Sequence, residues 1–362
     1  MQPGAGTRVA FYAPMKPPHH PVPSGDREIA RNLMGLLSGS GADVQLVSDL
    51  RIYDKHGDAA LQASLRNQAD AEVKRLIRGL PETDLWVSYH NYYKAPDLIG
   101  PAVARARGIP YVQIESTRAK KRLTGPWGGF AETAHAAADA AAAIFYFTEQ
   151  DHFALERDRC GTQAVAHLRP FLPRDQLPEA SSLDGPMLTA GMMRKGDKLA
   201  SYQIISETLS HLPGDWQLDI AGDGPARGGV EALMAPYGGK VHFLGQLSRM
   251  ELAAAYANAS LFLWPGVNEA FGMVYLEAQA HGLPIAAQDR PGVRDVLLPA
   301  GCPAPENGPE ALAAFTGHLL ANRALRTEAG QDARDFISSR HLAPAAARQF
   351  WATVLPLMET RA

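Results

Sequence analysis

Short apolar runs alternate with longer amphipathic stretches along almost the whole chain, the pattern of strands exchanging with helices. "RVAFYAP" (8–14) reads as a buried strand, and an amphipathic helix is expected from about Asp26 to Leu37. "DVQLVSD", "DLWVSYH", "YVQIES" and "AIFYFTE" read as further strands, each separated from the next by a helix-length segment. Repeated units of this kind build a mostly parallel sheet with helices on both faces. The pattern breaks at 168–186, "LRPFLPRDQLPEASSLDGP", whose four prolines and missing period read as a linker. Beyond it the alternation restarts with "PMLTAG", a helix from about Lys198, "WQLDIAG", "KVHFLG", "SLFLWP" and "LPIAAQ". A last helix over about 344–358 carries Phe350, Trp351, Val354, Leu355 and Met358 on one apolar stripe, which must pack on one of the domains.

The fold class this predicts is α/β, with two Rossmann-like domains facing each other across a cleft. The N-terminal domain should span 1–172 and the C-terminal one 173–343, with 344–362 a helix packing back on the first. Ligands of such sheets bind at the carboxyl ends of the strands.

Composition narrows the function. A chain of 362 residues is too long for one ordinary core. Its 46% hydrophobic and 20% charged residues suit an enzyme, and a net charge of -3 argues against a nucleic-acid binder. Cys160 and Cys302 are far apart and read as structural thiols in a reducing cytoplasm. No signal peptide is legible, and no apolar run approaches the ~20 residues of a membrane span.

Several chemistries fail on their motifs. "GAGTRV" precedes the first strand, the wrong context for a dinucleotide fingerprint, and "GDGPARG" has its third glycine one place late. Neither a phosphate-binding loop ending in Gly-Lys-Ser/Thr nor a Gly-x-Ser-x-Gly elbow occurs. His19 and His20 sit among prolines with no third ligand suitably spaced, so no metal is expected there. No Asp-x-Asp motif stands near a donor phosphate site; the stretch from Asp295 has Leu297 at its third position.

"NEAFGMVYLEAQAHGLPIAA" (268–287) is more informative, because it sets Glu269 and Glu277 in a mostly apolar segment. A buried carboxylate is costly unless something pairs with it. Eight residues of helix rise ~12 Å, too far for a glycosidase pair around one bond. A long ligand with hydroxyls at both ends fits better. In a nucleotide-sugar, Glu277 would accept from the ribose and Glu269 from the hexose. The amides of Phe271, Gly272 and Met273 would face the diphosphate at a helix start near Phe271. The plainer alternative is a capped helix whose acids are solvated.

"WPGVNEAFGMVYLEAQAHGLPIAA" resembles the Glu-x7-Glu segment of family-4 retaining glycosyltransferases, which have the GT-B fold. The resemblance continues through "AGMMRKGDKLASYQII", "LDIAGDGPARGGVEAL", "KVHFLGQLSRMELAAAYANASLFLWP" and "RPGVRDVL". The N-terminal half fits by its strand–helix pattern and by "PSGDREIARNL" after the first strand. The resemblance implies that Glu269, Arg194 and Lys198 are catalytic, with the two cations on the donor diphosphate where charge builds on the leaving group. Lys195 competes with Lys198 for that part. Gly222 and Gly224 would turn beside the nucleotide, and Gly25 would offer a backbone amide to the diphosphate. No cofactor is implied and no metal, since the cations and helix N-terminus would replace a divalent ion. Front-face attack would retain the anomeric configuration. A nucleotide-sugar epimerase, a sugar phosphorylase or an inactive nucleotide-sugar binding module are the alternatives.

The chain departs from the family at "VQIESTRAKKR", where Glu115 stands in place of a histidine near the donor sugar. His90, ending the preceding strand, and Arg118 join Glu115 as acceptor-side candidates. Arg118, Lys120, Lys121 and Arg122, followed by Leu123, Pro126, Trp127 and Phe130, mix cations with aromatics. Such a loop suits an anionic acceptor or an acidic membrane surface. The expected partners are therefore a nucleotide-sugar donor, a glycan or lipid-linked acceptor and peripheral contact with anionic membrane, and no nucleic acid.

Overall fold

The computed structural model describes residues 2–22, 24–298 and 301–359, and the chain divides into two compact units. One unit runs to Arg169 and takes in the segment from Ala343 onward; the other is Pro170–Leu342.

The first unit is built from β1 (Arg8–Tyr12), α1 (Gly25–Gly39), β2 (Asp43–Ser48), α2 (Ala59–Gly79), β3 (Leu85–Asn91) and α3 (Gly100–Arg107). It continues with β4 (Tyr111–Ser116), α4 (Gly128–Ala140), β5 (Ala143–Tyr146), α5 (Glu149–Arg157) and β6 (Ala164–His167). Its strands pair in parallel in the order β2-β1-β3-β4-β5-β6. Central strands read as unbroken apolar runs because both faces are covered; Leu85, Trp86, Val87 and Tyr89 are all buried. β1 has β2 on one side and β3 on the other, so the direction of winding reverses there. Ligands of doubly wound sheets bind beside such a point, outside the strands' carboxyl ends. β6 escapes the sequence pattern because "AVAH" is short and only half-buried.

The second unit holds β7 (Met187–Ala190), α6 (Asp197–His211), β8 (Leu218–Ala221), α7 (Arg227–Met234), β9 (Val241–Gly245) and α8 (Arg249–Asn258). β10 (Phe262–Leu263), α9 (Met273–Ala280), β11 (Ile285–Ala286), α10 (Gly308–Ala321) and α11 (Arg323–Arg340) complete it. The sheet order is β11-β10-β7-β8-β9, all parallel, and winding reverses between β7 and β10. Two Rossmann-like units are thus observed, as the alternation predicts. The proline-rich stretch is less free than a linker: Leu172 bridges to Leu342, and the Ser181 amide donates to the His281 carbonyl at 2.7 Å.

The last helix, α12 (Ala343–Glu359), belongs to the first unit. Its Phe350 stacks on Phe145 with centroids 5.0 Å apart. The Trp351 indole N–H donates to Ser40 Oγ at 2.6 Å, and a Cβ on Gly4 would come within 2.5 Å of that ring. Leu355 and Met358 lie on the same stripe but are only half-buried. Trp351→Ala should lower the stability of this unit by ~3–5 kcal/mol, the usual cost of emptying a buried tryptophan site. Trp351→Phe, which loses chiefly the hydrogen bond, should cost ~1 kcal/mol. Urea unfolding followed by circular dichroism checks the ratio; equal losses would show that packing is not what holds α12.

Candidate functional site

In the second unit the loops after β7 and β10 meet where the winding reverses. Lys198, in the first turn of α6, forms an ion pair with Glu269, whose side chain is only 12% exposed. The Trp264 indole N–H donates to the same Glu269 oxygen at 2.9 Å, and the Lys198 ammonium lies 5.2 Å from the centre of the Trp264 ring. The carboxylate, the ammonium and the indole therefore fix one another at the edge of the sheet. Around them, Asn268 takes a left-handed conformation, φ 47°, which asparagine tolerates. Its side-chain amide donates to Asp197 at 2.9 Å, and the Val267 amide donates to Ser201 Oγ at 3.2 Å. These contacts tie the Glu269 loop to α6. Lys198 is thus the lysine held at this point, while Arg194 and Lys195 are exposed on the preceding loop.

Gly222 and Gly224, φ 138° and 152°, lie against the loop after β7. A Cβ on Gly222 would come within 2.0 Å of the Gly191 carbonyl oxygen, and one on Gly224 within 2.4 Å of the Met193 oxygen. The Met193 amide donates to the Asp223 carbonyl, and the Ala226 amide to the Met193 carbonyl. Close approach of two backbone segments accounts for both glycines. Gly25 is different: a Cβ there would meet nothing within 4 Å, so no packing requires a glycine.

α9 begins at Met273, two residues later than expected, because Gly272 is left-handed (φ 48°) and breaks the helical run. No side chain caps it. α8, by contrast, carries a full capping box from Ser248 and Glu251. The start of α9 is thus open to an anion in a way that α8 is not. Glu277 is half-buried one face along, and the Tyr256 hydroxyl donates to it at 3.2 Å. Trp264 and Tyr256 were missed from sequence because an aromatic in a strand or helix reads as core, and both are indeed buried.

The first unit carries a second constellation where its own winding reverses. His90 and Glu115, near the carboxyl ends of β3 and β4, are both left-handed at φ 66° and 61°. Each stands between ladder pairs Tyr89–Ile114 and Asn91–Ser116, so they project at one level. Such conformations cost non-glycine residues ~1–3 kcal/mol each and persist only where surroundings over-determine them. Here Asn91 does so. Its side-chain amide donates to Gln113, Ser116 and the Ala134 carbonyl, and its oxygen accepts from the Asp97 amide. His90 Nδ1 lies 3.2 Å from Asp26 in the first turn of α1 and 3.7 Å from Glu115. Asp26 had no sequence signal beyond following Gly25. The neighbouring His90 holds Asp26 below the usual carboxylate range, and burial pushes Glu115 up. Burial alone would depress His90, but Glu115 and then Asp26 outweigh it and raise the imidazole above its ordinary value.

The cationic loop needs correction. Arg118 is buried and ion-paired with Asp139 at 2.5 Å, so it does not present its charge outward. Lys120 pairs with Asp158 at 2.7 Å, and Phe130 is in the core. Lys121 and Arg122 remain exposed. Cys160 is exposed rather than structural, with Asp139 3.2 Å from its sulfur. His20 Nδ1 accepts the Val22 amide at 3.1 Å. Among the described residues no group of three or more His, Cys, Asp or Glu is placed to hold a metal ion, and no helix is long and apolar enough to cross a membrane.

Two parallel sheets of this order, each with a site at its reversal point, define a GT-B-type double-Rossmann fold. The same fold is found in sucrose-phosphate synthase from Thermosynechococcus elongatus, with a TM-score of 0.71 and 17% identity, covering 98% of this chain and 100% of that one. Residues 187–322 match the family described as Glycosyl transferases group 1, so the second unit is related to those enzymes. The GDP-mannose-dependent alpha-mannosyltransferase of Mycolicibacterium smegmatis is 38% identical over 112 residues, 30% of this chain and 29% of that protein. The phosphatidyl-myo-inositol mannosyltransferase of Mycobacterium leprae is 35% identical over 165 residues, 42% of this chain and 43% of that protein. The chain thus matches less than half the length of these curated relatives.

The first unit's constellation has a pH consequence. A histidine whose folded value is raised contributes stability that is complete below about pH 6.5 and is lost as the pH rises through the raised value. In a histidine-selective NMR titration, His90 should titrate above the ordinary imidazole value. Asp26→Asn should bring it down. A titration midpoint that ignores Asp26→Asn would contradict the pairing.

Proposed function

We propose that the chain is a retaining, metal-independent glycosyltransferase that moves a sugar from a nucleotide-diphosphate sugar to a glycan or lipid-linked acceptor. The observation that carries this is the meeting of Lys198 with Glu269 at the reversal point of the second sheet, immediately ahead of the uncapped α9. Arg194 and Lys198 take the diphosphate together with the amides of Phe271, Gly272 and Met273. Glu269 accepts from hexose hydroxyls and Glu277, eight residues on, from the ribose. Gly222 and Gly224 keep the neighbouring loop close to the nucleotide. The Lys198 ammonium has three donors, so it meets a diphosphate while still holding Glu269 in place for the sugar.

The chemistry is then a displacement at the anomeric carbon. Its bond to the diphosphate oxygen breaks, the acceptor oxygen bonds from the same face, and the departing phosphate takes the acceptor proton. Positive charge around the leaving group stabilises that transition state in place of a divalent ion. Gly25 offers its backbone amide to the diphosphate, while His90 and Glu115 serve the acceptor side and Arg118, buried against Asp139, supports the loop after β4. The names of the mannosyltransferase relatives support a nucleotide-diphosphate hexose as donor, and one names a phospholipid acceptor. A cytoplasmic location, with peripheral contact to anionic membrane through the exposed Lys121, fits a lipid-linked acceptor.

Nucleoside diphosphates and their sugars should stabilise the second unit by mass action, ~2.7 kcal/mol at a hundredfold excess over Kd. A panel of them in a thermal-shift assay reads this directly. No shift with any member at roughly millimolar concentration would remove the donor assignment.

The two glutamates should also separate. Glu277→Ala should weaken the bare nucleoside diphosphate, by about tenfold for one lost charged hydrogen-bond acceptor. Glu269→Ala should leave the bare nucleotide nearly unaffected while turnover collapses. Equal losses of nucleotide affinity in calorimetry would contradict this division.

A further inference from the structure

Four loops at the carboxyl end of the first unit's sheet bring together cations and aromatic rings. Tyr93 and Trp127 meet edge to face at 5.7 Å. Lys94 lies 5.6 Å from the Tyr93 centroid and 5.4 Å from that of Trp127, and Arg122 lies 5.1 and 5.5 Å from the same two rings. Arg51 stacks over Tyr53 at 4.5 Å, with its Nε donating to the Met15 carbonyl. Tyr92 connects this face to His90, 4.8 Å between rings.

These loops are held in place from beneath. Asp54, 1% exposed, accepts from the amides of His56, Gly57 and Asp58 and from the Gln62 side chain. Its own amide donates to the Lys94 carbonyl, and its carbonyl accepts the Trp127 indole N–H at 3.0 Å. One buried residue therefore joins the loops after β2, β3 and β4.

Two cations on one ring pair repel each other, and neither Lys94 nor Arg122 forms an ion pair with a carboxylate among the described residues. Cation–π attraction of ~0.5–1 kcal/mol each holds them at an exposed site without neutralising them. The Asp54 carboxylate beneath the face is committed to its four donors, and Asp26 and Glu115 are engaged with His90. An anion with several oxygens satisfies both cations at once, and the planar guanidinium fork matches a phosphoryl group.

We propose that Tyr93, Lys94, Arg122 and Trp127 bind a phosphoryl group of the glycosyl acceptor, so that the acceptor is a phosphorylated saccharide or a lipid phosphate. This rests on the glycosyltransferase reading and specifies its acceptor class. His90 and Glu115 then face the end of the acceptor that carries hydroxyls.

Calorimetry on the full chain with glucose 6-phosphate and with glucose, and flotation with phosphatidylcholine vesicles carrying polyprenyl phosphate, test the proposal. At least one phosphoryl probe should bind about tenfold or more tightly than its phosphate-free counterpart. Which one binds identifies a free or a lipid-borne source. Lys94→Gln with Arg122→Gln should abolish that binding, and Arg105→Gln, on α3, should not. The proposal is overturned if the double variant binds as the wild type does, or if the wild type binds neither probe. Equal binding to vesicles of matched charge made with phosphatidylglycerol would also overturn it, since the face would then read only membrane charge. A parallel nucleoside diphosphate titration keeps the two readings apart: its failure removes the glycosyltransferase reading and leaves a phosphoryl-binding face with no glycosyl acceptor assigned to it, and the double variant should leave that titration unchanged.

Discussion

Glu269 is the residue on which the second unit's site depends. Its carboxylate is mostly withdrawn from water, and burying such a group is costly without close partners. Lys198 and the Trp264 indole supply them. Lys198 comes from the start of α6 and Glu269 from the loop after β10, so the pair joins the two chain segments that diverge at the reversal point. Because the charges are preset, a polyanionic ligand arriving there meets an ammonium already placed. In the proposed reaction little reorganisation would then be left for the chemical step, and such preorganisation is the main source of electrostatic catalysis.

The first unit solves a related problem with neutral groups as well as charges. Asn91 uses its side chain on β4, on α4 and on the loop after β3, and this holds His90 and Glu115 in conformations that an isolated strand would avoid. Asp54 does the same for three loops, and its ionised form is favoured by four donors despite its burial. In each case a polar residue with no chemistry of its own fixes neighbours that have it. Rigid support of this kind is what a binding surface on loops requires.

Much of this architecture was legible in the pattern of apolar runs. β1, β3 to β5, β7 and β8 announce themselves because central parallel strands must be apolar throughout, and the edge strands β2 and β9 show as alternating runs. β10 and β11 are short, yet "SLFLWP" and "LPIAAQ" still mark them. The start of α9 was misplaced because a left-handed glycine looks the same in sequence as a helical one. The site was legible where motif and chemistry coincide, at Lys198, Glu269 and Glu277. Partners that come from distant segments were not. Nothing local distinguishes Trp264, Tyr256, Asp26 or Asp54 from ordinary core aromatics and surface acids, and nothing local shows that Arg118 turns inward to Asp139.

The central claim is that the reversal point of the second sheet holds a nucleotide-diphosphate sugar. A crystal structure of the full chain soaked with GDP-mannose tests it most directly. The account predicts diphosphate density between Lys198 and the first turn of α9, with ribose hydroxyls on Glu277 and hexose hydroxyls on Glu269. Well-ordered nucleotide bound elsewhere, with the Lys198–Glu269 pair undisturbed, would contradict it.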